Sequence, residues 1–144
     1  MRKFILLAML FIAGIANAQI DQIVGRWTTI DDEKNIPVSV INIYRGTDGL
    51  YYGKIERILV KGDENKICTA CEGELHNKPI VGIVNVQKME WRDGKLQGGT
   101  ILDPNNGKTY YAKMWVDPST GKLILRGSLD KRGLLGRNQE WVRK

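Results

Sequence analysis

Residues 109–129 read Thr-Tyr-Tyr-Ala-Lys-Met-Trp-Val-Asp-Pro-Ser-Thr-Gly-Lys-Leu-Ile-Leu-Arg-Gly-Ser-Leu. In the first half, Tyr110, Ala112, Met114 and Val116 alternate with Tyr111, Lys113, Trp115 and Asp117. In the second, Leu123, Leu125, Gly127 and Leu129 alternate with Lys122, Ile124, Arg126 and Ser128. A period of two belongs to a strand with one face buried and the other wet. Between the halves, Pro118 presets the first turn position and Gly121 accepts a positive φ. The stretch is therefore a β-hairpin, and paired strands must turn their apolar stripes to the same side.

Working outward, the same pattern recurs. Candidate strands cover 24–30, 38–44, 50–59, 80–91, 96–103, 109–117, 122–129 and 135–142. Between them lie turn segments such as Gly46-Thr47-Asp48-Gly49, Asp93-Gly94, Asp103-Pro104-Asn105-Asn106-Gly107 and Arg132-Gly133. No long segment carries a 3.6-residue apolar period. Glycines inside the strands (Gly53, Gly82, Gly98, Gly99, Gly127, Gly136) let strongly bent strands coil. The expected fold is all-β, an eight-stranded antiparallel up-and-down β-barrel, with an open sandwich as the alternative. A membrane barrel is disfavoured, because Lys54, Glu56, Lys113 and Arg126 lie opposite the apolar stripes.

The N-terminus predicts a compartment. Arg2 and Lys3 precede an uncharged apolar run over 4–15, and Ala16-Asn17-Ala18 places small residues where a signal peptidase reads. Residues 1–18 are expected to be a cleaved signal peptide, since the run is too short to span a bilayer. Residue 19 is Gln, not the cysteine of a lipoprotein. One domain over 19–144 is left, exported to the periplasm or secreted. Its formal charge falls by two from +6, and the remaining basic residues are scattered among acids. No nucleic-acid partner is expected.

Gly25-Arg26-Trp27 after a short segment able to make one helical turn resembles the Gly-x-Trp opening of the lipocalin and fatty-acid-binding superfamily. The resemblance implies a lipocalin-like barrel whose end Trp27 closes with an arginine of the last strand laid across it. Arg143 is the candidate, with Arg137 second. The whole 19–144 segment also resembles a family of uncharacterised exported bacterial domains of unknown function. Gly25-x-Trp27, Cys68-x-x-Cys71, Asp103-Pro104 with Gly107-Lys108-x-Tyr110, Leu125-Arg126-Gly127, and Leu135-Gly136-Arg137 before Trp141-x-Arg143 carry it. That resemblance implies the barrel and export, and no activity.

The two cysteines, Cys68 and Cys71, sit in the longest connection with His76, the only histidine. Three readings compete. A structural disulfide suits an exported chain and is favoured. A redox pair needs a thioredoxin-like helix N-terminus, which is missing. A zinc site would need four Cys or His ligands where three exist, so no metal or other cofactor is expected. Ser39, Ser119 and Ser128 lie outside any nucleophile-elbow context, and no glycine-rich segment leads into a helix. No catalytic residue can be named, and a non-enzymatic role is expected.

The interior remains. Tyr51, Ile55, Tyr110, Met114, Leu123 and Leu125 are expected to line it, and it is either filled by its own side chains or holds one small, partly apolar ligand. Arg57 falls in register with Tyr51 and Ile55. It either meets a ligand carboxylate or reaches water at the rim. A structural or protein-interaction role in the cell envelope is the alternative from another class.

Overall fold

The computed structural model describes residues 19–144, and the leader expected over residues 1–18 lies outside that span. A helical turn over residues 19–23 leads into β1 (Gly25–Asp31), β2 (Ile36–Arg45) and β3 (Tyr51–Ile58). A long connection with a 3-10 turn at Gly73–Leu75 follows. The chain then runs through β4 (Val84–Arg92), β5 (Lys95–Asp103), β6 (Lys108–Val116), β7 (Leu123–Ser128) and β8 (Gly136–Arg143). Each strand pairs antiparallel with the next. β1 also pairs with β8 through Trp27↔Arg143, Thr28↔Val142 and Thr29↔Trp141, so the sheet closes into a barrel. Closure leaves no unpaired edge.

The hairpins form where turn chemistry allows. Asp93 and Gly94 both take positive φ, at 52° and 75°, which the two-residue β4–β5 turn requires. In the β6–β7 turn, the Asp117 carboxylate accepts from the Ser119 N–H at 2.9 Å, and Gly121 donates to the Asp117 carbonyl. The stripes of the founding hairpin face inward together, with Ala112↔Gly127 and Met114↔Leu125 in register.

Two strand expectations need correction. β4 begins at Val84 rather than at residue 80, because Gly82 turns the chain with φ 102° and donates to the Ile55 carbonyl. Ile80 and Ile83 are buried, so their apolarity packs a loop onto the barrel. At the other correction, Leu129 lies past the end of β7 and is 70% exposed. The chain turns there, with the Ser128 hydroxyl donating to the Asp130 carbonyl.

An up-and-down order places connections alternately at two ends. The helical turn and the β2–β3, β4–β5 and β6–β7 hairpins share one end. There Ile23, Trp27, Ile43, Met89, Leu96, Met114 and Leu123 are essentially inaccessible and form a filled floor. The outward face carries charge, with Arg26–Glu56 at 2.6 Å, Lys122–Glu140 at 3.0 Å and Lys95 over the Trp115 ring at 4.6 Å. Such a face is incompatible with the apolar belt of a membrane barrel. Among the described residues no helix is long and apolar enough to cross a membrane.

Candidate functional site

The floor is sealed by three parts of the chain. The Trp27 indole N–H donates to the Ile23 carbonyl at 2.7 Å, tying β1 to the helical turn before it. The Arg143 guanidinium lies 4.1 Å from the Trp27 ring centroid and donates to the Val24 carbonyl at 3.0 Å and to the Gln22 carbonyl. Gly25 makes the approach feasible: its φ is 121°, and a Cβ there would stand 2.8 Å from Arg143 Nη1. This end is a plug.

The opposite half of the barrel is hollow. A cavity of about 640 Å³ opens between the β1–β2, β3–β4, β5–β6 and β7–β8 connections, within the range usual for small-molecule sites. Its wall is mixed: Ile41, Ile55, Ile58, Ile101 and Leu125 supply the apolar part, and Thr29, Ser39, Asn85, Tyr110, Ser128 and Gln139 are among the polar residues that interrupt it. Thr29 and Ser39 pair their hydroxyls at 2.7 Å. The Tyr110 hydroxyl accepts from the Asn106 amide at 3.0 Å. Asn85 and Trp141 are 4% and 1% exposed, and both line the cavity.

Every charged residue that lines the cavity stands at its mouth. Asp32 pairs with Arg137 at 3.6 Å and Asp63 with Lys66 at 3.9 Å, while Asp31 and Asp103 add further negative charge. The backbone N–H of Lys34, then that of Glu33, holds the Asp31 carboxyl below the ordinary carboxylate range.

One side of the mouth is built from the long β3–β4 connection. Cys68 and Cys71 are bonded to each other, with Cα atoms 5.4 Å apart, and both are buried. Around them, Ile67 bridges Pro79, Cys68 and Lys78 share a backbone hydrogen bond, and His76 Nδ1 donates to the Cys71 carbonyl at 2.9 Å. The loop then rests on the β5–β6 turn. Cys68 Sγ touches the Pro104 carbonyl at 3.4 Å, and a Cβ on Gly107 would fall 1.9 Å from the Ala70 carbonyl oxygen. Gly107, at φ 71°, is the residue that lets the two connections meet.

The residues expected to line the interior divide by height. Ile55, Tyr110 and Leu125 line the cavity. Met114 and Leu123 are inaccessible in the floor, and Tyr51 is buried near Ile20 and Trp91 at the plugged end. Arg57 is exposed and does not line the cavity. The reason is a bulge: Ile41 pairs with Ile55 but Val40 with Arg57, so the β3 alternation slips and Ile58 takes the inward place. Sequence reasoning missed Asn85 and Trp141. The signal for Asn85 was present, as a lone amide inside the apolar run 80–86.

A closed eight-stranded antiparallel barrel, plugged at one end by a tryptophan and an arginine and hollow at the other, is a lipocalin-like fold. The chain belongs to the family described as "Uncharacterized protein conserved in bacteria (DUF2147)", whose model matches residues 25–143. A solved structure described as "Protein HP1028 from the human pathogen Helicobacter pylori belongs to the lipocalin family" is similar, with a TM-score of 0.72. It shares 24% identity, over 84% of this chain and 82% of that one, and at that level the likeness carries the fold. A search of the curated proteins gives no match.

Proposed function

We propose that this chain is exported and that its barrel binds one small, partly apolar molecule in the upper cavity without transforming it. The observation that supports this is the pairing of a filled floor with a cavity of about 640 Å³ whose wall combines aliphatic side chains with uncharged polar groups below a charged mouth. Binding without reaction fits the state of the reactive side chains. Both cysteine sulfurs are spent on a disulfide, and His76 is exposed and committed to a loop carbonyl. Ile55, Tyr110 and Leu125 hold the ligand in this reading, together with Ile41 and Ile101. Titration with Nile red, a neutral apolar dye, tests it. Saturable, blue-shifted fluorescence at one dye per barrel is expected, and an absence of saturable binding would contradict the reading.

A second reading, a protein-interaction module, is favoured by the β7–β8 tip. Leu129, Leu134 and Leu135 are 70%, 71% and 68% exposed. Asp130 holds them out, accepting from the Leu134 and Leu135 N–H groups at 3.1 and 2.7 Å, while Arg126 braces the Gly133 carbonyl. Sedimentation of the mature protein and of a Leu134→Ser, Leu135→Ser variant tests it. Self-association that the variant abolishes would support an interaction surface, and two monomers would speak against pairing between copies.

A further inference from the structure

Two buried side-chain polar atoms have no protein partner among the described residues, Asn85 Oδ1 and Trp141 Nε1, and both residues line the upper cavity. A buried polar group without a partner costs free energy comparable to a lost hydrogen bond, so such atoms mark a place where something else bonds. They are complementary. The indole N–H can only donate, and the amide oxygen can only accept. The Asn85 orientation follows from its other end, since Nδ2 faces the Leu102 carbonyl at 3.4 Å and leaves Oδ1 free. The backbone brings Asn85 there by an irregularity: Gly53 pairs with Val86 and Lys54 with Val84, so Asn85 is the unpaired residue between them. Bulges of this kind re-aim side chains.

Charge narrows the ligand further. The wall below the mouth carries no charged side chain among the described lining residues. At the mouth, both cations are already paired with aspartates, and Asp31 and Asp103 leave an excess of negative charge. An anionic head group would lose its hydration without gaining a free cation. Resting on the proposed binding role, we infer that the ligand is an uncharged amphiphile with both a hydrogen-bond donor and an acceptor, of the carboxamide kind. Its carbonyl accepts from Trp141 Nε1 and its N–H donates to Asn85 Oδ1, while its apolar body lies against Ile55, Ile101 and Leu125.

Decanamide and decanoate share a chain and differ in the head group, so displacement of Nile red by each on the mature protein tests the inference. Decanamide should bind at least roughly tenfold more tightly than decanoate, the effect of one satisfied buried hydrogen bond and an avoided buried charge. In Asn85→Leu, checked for folding by circular dichroism, decanamide should weaken while decanoate holds, so the gap narrows. Trp141→Phe, which keeps an aromatic ring, should weaken decanamide as well. Equal binding of the two compounds, or a gap that survives both substitutions, would overturn the inference while leaving a binding cavity intact. Displacement by neither compound, with no dye bound to begin with, would overturn the binding role and this inference together.

Discussion

Removal of the Arg143 side chain tests how the barrel is closed. Three contacts are lost together: the stack on Trp27 at 4.1 Å and the bonds to the Val24 and Gln22 carbonyls. A guanidinium over an indole contributes about 0.5–2 kcal/mol, nearer the low end at a wet rim. Each carbonyl bond adds about 1 kcal/mol at most, because water can replace the donor at this exposed position. Arg143→Ala should therefore cost about 1–3 kcal/mol. Arg143→Lys should recover less than half of that, since an ammonium lacks the planar fork that reaches two carbonyls while lying on the ring. Urea denaturation followed by tryptophan fluorescence measures it, as a lower midpoint at an unchanged slope. Gly25→Ala should mimic the loss from the other side, by straining φ and pushing on Nη1. An Arg143→Ala protein within about 0.5 kcal/mol of the parent would refute the plug as a source of stability.

Mass spectrometry of the exported protein should find an N-terminus at Gln19, and an intact Met1 in that fraction would refute export by a cleaved leader. Denaturation without reductant should expose no free thiol, and Cys68→Ser with Cys71→Ser should leave the barrel folded while amides of the β3–β4 connection exchange faster. The Leu135 and then the Leu134 backbone N–H groups hold the Asp130 carboxyl below its ordinary range. Its contribution to the β7–β8 tip is thus present above the unfolded value of ~3.9 and is lost as pH falls through the depressed folded value. Amide exchange at Leu134 and Leu135 should accelerate over that window relative to the floor strands, and Asp130→Ala should show the fast exchange already at neutral pH.

Strand existence and hairpin order were legible because alternation and turn residues are local signals, and each of the eight strands announces itself within a dozen residues. The cysteine pair was legible because an exported chain with two cysteines offers one pairing, whereas Trp27 under Arg143 was legible only through the resemblance of the Gly-x-Trp opening to the lipocalin superfamily. Height within the barrel was not. A period of two says that Tyr51, Ile55, Met114 and Leu125 share the inner face, but not which of them lie in the floor and which face the cavity. Bulges were hidden too, because one extra residue reverses the alternation after it without changing composition. That is how Arg57 turned outward, Ile58 inward, and Asn85 to the cavity wall.

Gly127 is the position from which a side chain can fill the cavity and so test whether it is a binding site. It lines the cavity, and a Cβ placed on it would meet only Tyr110 Cβ, at 3.8 Å, which is ordinary contact. A large side chain there should project into the cavity without displacing the wall, and because Gly127 does not have a positive φ, replacing it removes backbone freedom from the unfolded chain, by itself a gain of about 0.4–1 kcal/mol. Nile red titrated side by side into the parent and Gly127→Trp decides the matter. The parent should bind one dye per barrel, and Gly127→Trp, equally folded, should bind at least roughly tenfold more weakly. Equal affinity in the two proteins would place the dye elsewhere and refute binding in the cavity.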